Sequence, residues 1–163
     1  MPESLRFARL RYGTKTLPCL IALIANGKDK IGGIQRTFVQ EDGTGKAEVP
    51  APKLSLGRVR GGAIRLAPVA ARLIVTGGLE DGLTLQQELG QAVWAATGEG
   101  NMASMVLPAG VTTVTIGADR DDGGDLHAKR AAETSTLQGR KVRIIRPMPG
   151  FKDFNAELMG VSA

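Results

Sequence analysis

One cysteine, Cys19, and one histidine, His127, are all that 163 residues offer of either type. A lone cysteine excludes an internal disulfide, and a zinc site held within the chain has no ligand set. Any metal ion must be held by carboxylates, whose oxygen donors favour magnesium or manganese and not zinc. Aromatic residues make up 4% of the chain, so base stacking is not the obvious way for it to hold a single strand. No apolar run approaches the roughly 20 residues that span a bilayer. The run Leu17-Pro-Cys-Leu-Ile-Ala-Leu-Ile-Ala25 follows Arg6, Arg9, Arg11 and Lys15, an order superficially like that of a secretory signal. It is short, however, and the polar Asn26-Gly-Lys-Asp-Lys30 behind it reads better as a hairpin turn into a second strand. The expectation is a cytoplasmic protein with no membrane partner.

What is present is ordinary globular material: 42% hydrophobic and 23% charged residues in a chain about one domain long. The charge is unevenly spread. Residues 1–65 hold twelve Lys/Arg against five Asp/Glu, and residues 66–163 hold nine against eleven. A basic front half joined to an acidic back half suits a polyanion handled beside a metal-binding centre; a solvated basic face without a partner explains the charge equally well.

Leu17–Ala25 and Ile31–Val39 read as paired strands, and residues 40–62 as a glycine-rich loop carrying Lys46, Lys53, Arg58 and Arg60. After a short strand at 63–67, strand and helix patterns alternate. Strands are predicted at 73–76, 92–96, 111–118 and 141–146; helical segments at 79–89, 101–107, 124–137 and 153–159. Alternation of this kind implies a mostly parallel sheet with helices on both faces. The expected organisation is a basic β-rich subdomain over residues 1–70 and an α/β domain over 71–163.

The densest acidic cluster, Ile116-Gly-Ala-Asp-Arg-Asp-Asp-Gly-Gly-Asp125, directly follows the most convincing strand. Ligands in open α/β sheets bind beyond the carboxyl ends of strands. In extended chain Asp119 and Asp121 would face the same way and could share a divalent cation. Asp122 and Asp125 suit capping of the following helix. The stretch Arg72-Leu-Ile-Val-Thr-Gly-Gly-Leu-Glu-Asp-Gly-Leu83 ends another strand, with Gly77 and Gly78 allowing a tight turn and Glu80 and Asp81 in the first helical turn. Its amides could receive a phosphate, or its acids could join the Asp119/Asp121 pair. Near the end, Lys152, Asp153 and Asn155 gather at a helix start, where Asp153 is either an N-cap or part of the same site. Trp94, flanked by Val93, Ala95 and Ala96, reads as core, and His127 lacks a partner for nucleophilic catalysis.

An acidic turn after one strand, an Asp-x-Asp after a later one and a closing Lys-Asp-x-Asn together resemble the Toprim domain of primases, type IA and II topoisomerases and certain nucleases. The segments Gln35-Arg-Thr-Phe38, Gly45-Lys-Ala47, Lys53-Leu-Ser-Leu-Gly57, Gly61-Gly-Ala-Ile-Arg-Leu66, Ala118-Asp-Arg-Asp121 and Lys152-Asp-Phe-Asn155 resemble, in order, those of phage- and plasmid-type primase or primase-helicase proteins. The resemblance implies a Toprim-like, Rossmann-like fold and metal-dependent nucleotidyl transfer on single-stranded DNA. Asp119 and Asp121 would bind Mg2+ or Mn2+. Arg36, Lys46, Lys53, Arg65 and Lys152 would meet template and nucleotide phosphates, with Gly77, Gly78, Asp153 and Asn155 lining the site. A helicase or another protein is the further partner such proteins imply.

The family pattern after the first Toprim strand is Glu-Gly-x-Glu, its first glutamate regarded as the general acid/base. Here the sequence reads Gly77-Gly-Leu-Glu80. Glu80 is then the nearby acid left to take a catalytic role beside Asp119 and Asp121. A proton-transferring group typically contributes about 10²- to 10⁴-fold, so its loss should impair catalysis more than folding. The alternative expectation is therefore a catalytically inactive Toprim-like protein of phage or plasmid origin, engaging nucleic acid or a host protein machine as inhibitor or scaffold. A metal-dependent nuclease is a third.

Overall fold

The computed structural model describes residues 1–27 and 30–162. Four strands, β1 (Leu5–Tyr12), β2 (Lys15–Ala25), β3 (Ile31–Phe38) and β4 (Lys53–Gly57), form an antiparallel sheet in the order β1-β2-β3-β4. The expected β2–β3 pairing is present; Lys28 and Asp29 of the expected hairpin turn lie outside the described residues. The apolar run that looked like a secretory signal is β2, held between two neighbours with Cys19 and Ile24 fully buried. The residues ahead of it form β1, an edge strand whose exposed Arg6, Arg9 and Arg11 discourage pairing with another chain.

A second sheet combines β5 (Ile64–Arg65), β6 (Arg72–Thr76), β7 (Val93–Ala95), β8 (Thr113–Gly117) and β9 (Lys141–Ile145) in the order β5-β7-β6-β8-β9. All pairings are parallel except that of β5 with β7. Helices α1 (Leu79–Leu89), α2 (Asp122–Leu137) and α3 (Phe154–Met159) flank it, and a 3-10 turn spans Glu99–Ser104. The fold is the expected α/β arrangement, a mostly parallel sheet flanked by helices and preceded by a β-rich part.

Central parallel strands are covered on both faces, so they read as continuous apolar runs. On β6, Leu73 and Val75 join Trp94, Val114, Ile116 and the α2 alanines Ala128 and Ala131 on one side. Ile74 turns the other way, to Val93, Ala95, Leu79 and Leu85 of α1, and Phe154 of α3. That second cluster also contains Leu5, Ala22 and Ile24 of the antiparallel sheet, so the two sheets share a core. Trp94 is core, as expected, at 1% exposure. Among the described residues no helix is long and apolar enough to cross a membrane.

Candidate active site

Parallel register places the carboxyl ends of β6, β7 and β8 side by side, and three loops leave from that edge. They carry Gly77–Asp81, Thr97–Glu99 and Asp119–Asp121. Between them and the antiparallel sheet lies a cavity of about 300 Å³. Gly77, Gly78, Glu80, Asp81, Glu99, Asp119, Asp153 and Asn155 line its acidic side; Gln35, Lys46 and Lys53 approach from the basic half of the chain.

Asp119 is the most strongly perturbed of these acids. Burial, followed by the negative charges of Asp81, Glu99, Asp153 and Asp121, pushes its carboxyl up to about 7. Asp81, 8% exposed in the first turn of α1, is pushed up to about 6, again chiefly by burial and then by Asp153 and Glu80. Its Oδ1 accepts the backbone N–H of Asn155 at 3.0 Å, which ties α3 to α1 across the floor of the site.

Glu80 behaves in the opposite way. Burial opposes its charge, but Lys53, by charge and hydrogen bond, and Lys46, by charge, outweigh that and hold the carboxyl below its ordinary range. Lys53 Nζ lies 2.9 Å and Lys46 Nζ 3.3 Å from Glu80 Oε1. Glu80 thus clamps the two lysines over the mouth of the cavity.

Asp121, expected to face the same way as Asp119, is the N-cap of α2: its Oδ1 accepts the Gly124 N–H at 2.8 Å. Capping therefore falls to Asp121 and not to Asp122 or Asp125, and Asp125 instead accepts from Arg146 at 2.6 Å. Asp121 remains close enough to raise Asp119, and Lys152 stands 3.9 Å from its Oδ2. Asp153 is at once the N-cap of α3, accepting the Ala156 N–H at 2.7 Å, and a wall of the cavity. Arg36 and Arg65 do not line the cavity. Side chains alternate along β3, so it is Gln35 that faces the cavity, while the Arg36 charge acts on Cys19. The Arg65 guanidinium lies 4.2 Å from the Trp94 ring centroid and donates to the Asn26 carbonyl.

Glu99 was not anticipated. It follows β7, the strand between β5 and β6, so the rule that drew attention to the ends of β6 and β8 applies equally to it. Its loop is held in unusual geometry: Thr97 has φ +60°, rare for a β-branched residue, and Gly98 has φ +135°. Asn101 anchors the loop. Its Nδ2 donates to the carbonyls of Ala96 at 2.7 Å and Gly62 at 3.2 Å, and its Oδ1 accepts from Gly61 N–H and Ser104 Oγ. Asn101→Ala should cost about 1–2 kcal/mol of stability, read as a lowered urea midpoint, because these part-buried partners lose their bonds to its side chain together.

A family model described as "Toprim domain" matches residues 72–162. The chain belongs to the Toprim family. A domain of unknown function, DUF7146, matches residues 1–66 ahead of the Toprim domain. No curated protein matches the chain. Among solved structures, the primase fragment of the bacteriophage T7 primase-helicase protein superposes with TM-score 0.65 at 17% identity, covering 96% of this chain and 62% of that one. A DNA primase domain from Pseudomonas aeruginosa gives TM-score 0.60 at 15% identity, covering 96% and 53%. A DnaG primase catalytic domain bound to ssDNA gives 0.64 at 18%, covering 87% and 47%. At these identities the likeness establishes the fold, here a Toprim domain together with the β-rich part before it. The chain spans less than two thirds of each of these structures.

Proposed function

We propose that this Toprim domain is a nucleic-acid-acting domain of the DNA primase type, supporting metal-dependent nucleotidyl transfer on single-stranded DNA. The observation that carries it is the meeting of opposite charges at one cavity: Lys46 and Lys53 from the basic half border the acids at the ends of β6, β7 and β8. Lysines on the rim give phosphates an attractive approach, and the carboxylates beneath supply hard oxygen donors.

The donor set fits a magnesium- or manganese-sized cation in its chemistry. All its acids are carboxylates, and a buried carboxylate oxygen, Glu99 Oε1, has no hydrogen-bond partner. Among the described residues no three such side chains converge closely enough to hold an ion as they stand. Asp119 and Asp121 would hold it. When bound, a divalent cation would draw phosphate oxygens to this edge and offset charge developing during transfer. Asp119, raised by burial and then by its acidic neighbours, gives up its proton more readily when positive charge arrives. Lys152, 3.9 Å from Asp121, would meet a phosphate on that side of the site. A helicase or other protein partner belongs to the same proposal.

The test is incorporation of labelled nucleotides on single-stranded templates with Mg2+ or Mn2+. Oligonucleotide synthesis that disappears in Asp119→Asn supports primase-type chemistry; silence on every template contradicts it. Gly77 favours a second proposal, a Toprim-like binding protein that has lost catalysis. For that protein, salt-sensitive DNA binding without synthesis is the expected result. The Glu80 clamp gives a separate prediction. Glu80→Gln frees two lysines and should tighten single-stranded DNA binding about two- to fivefold at low salt, measured by fluorescence anisotropy.

A further inference from the structure

By its resemblance to the Toprim pattern Gly77 stands where a glutamate is expected, and its surroundings leave a side chain no room. Its backbone lies outside the left-handed region, so its φ does not require glycine. Its neighbour does. A Cβ built on Gly77 would lie 2.6 Å from Glu99 Cγ, 3.1 Å from Glu99 Cα and 3.2 Å from Glu99 N. The space a residue-77 side chain would enter is filled by Glu99, arriving from the adjacent strand end.

Glu99 turns one carboxylate oxygen inward. Oε1 is buried without a partner, and Oε2 lies 3.7 Å from a Cβ position on Gly123, where Asp121 Oδ1 comes within 3.3 Å of the same point. Glu99 therefore reaches from the end of β6 to the start of α2, and it lines the same cavity as Asp119. Thr97, with φ +60°, also carries a buried hydroxyl without a partner. Strain and orphaned polar atoms gathered in one loop mark a segment shaped by something other than its own stability.

We propose that Glu99 carries the carboxylate that position 77 lacks, so that the acid has moved from the end of β6 to the end of β7 and would hold the divalent cation with Asp119. This rests on the cation-dependent function proposed above. Glycine at 77 and glutamate at 99 are then a matched pair, each requiring the other.

Direct Mn2+ binding, followed by the loss of the free-ion signal in electron paramagnetic resonance, tests it without any assay of activity. Glu99→Gln keeps the packing against Gly77 and removes the charge; it should weaken Mn2+ binding about 10-fold or more. Asp119→Asn should weaken it at least as much. The exchanged protein Gly77→Glu/Glu99→Gly should recover affinity to within a few fold of wild type. Loss in Asp119→Asn with wild-type affinity in Glu99→Gln would overturn the relocation and leave the cation centre standing. No binding by the wild type, or none of it dependent on Asp119, would overturn the cation centre itself and the relocation with it. Should the exchanged protein not fold, Glu99→Gln decides.

Discussion

Asp119→Asn is expected to make the metal-free protein more stable and at the same time to remove its response to Mn2+. The carboxyl is pushed up to about 7 by burial and by Asp81, Glu99, Asp153 and Asp121, so its charged form is disfavoured in the fold. A folded-state value above the ordinary 3.8 means that the native protein holds the proton more tightly than the unfolded chain. Its contribution to stability is fully present below about 4 and is lost as pH rises through about 7. At pH 7.5 the wild type thus carries a repulsion that asparagine removes. For a half-buried group the gain should be on the order of 1 kcal/mol after solvent screening, a Tm rise of about 2–4 °C. The wild type should lose stability between pH 5 and 7.5, helped by Asp81 at about 6, and the variant should lose less. With saturating Mn2+ the order reverses: the wild type gains Tm and the variant does not. A residue kept only for packing would not produce opposite signs in the two measurements. Thermal melts at pH 5 and 7.5, with and without Mn2+, supply all four values.

Gly77→Glu should damage the protein. The first added atom would sit 2.6 Å from Glu99 Cγ, with Glu99 backbone atoms at 3.1 and 3.2 Å behind it. Overpacking of this kind typically costs 1–3 kcal/mol, and a whole glutamate side chain belongs at the upper end, about 3 kcal/mol. Removing the obstacle should return most of the loss. In Glu99→Gly the side-chain clash is gone, and only tenths of an ångström of backbone adjustment remain at a loop whose Gly98 is already at φ +135°. A double-mutant cycle in urea should therefore give a coupling of about 1 kcal/mol or more between positions 77 and 99. Additive effects would mean that the two residues do not compete for one space.

The frame of the site was legible in the sequence because parallel strands buried on both faces leave unbroken apolar runs. Leu73–Val75 announces itself in this way and Val111–Ile116 by its β-branched residues, and the acids directly after them are found by position alone. β1 and β4 were harder to see. In β1 arginines interrupt the apolar residues of an edge strand, and β4 lies within a stretch whose glycines and prolines read as loop. The roles of individual acids depended on contacts that spacing does not encode. Asp121 caps a helix, Glu80 is claimed by two lysines from the other half of the chain, and Arg65 stacks on Trp94. Glu99 was hidden most completely, because a glutamate between glycines after a three-residue strand carries no periodic signal. Only the distance from Gly77 reveals that a side chain at 77 and that of Glu99 would occupy the same place.

Anomalous diffraction from crystals soaked with Mn2+ tests the central claim most directly. A peak within ligating distance of Asp119, with Glu99 turned onto the ion and Gly77 open behind it, is the predicted result. A saturating soak with no peak at Asp119, or one whose ion leaves Glu99 untouched in its present position, would contradict it.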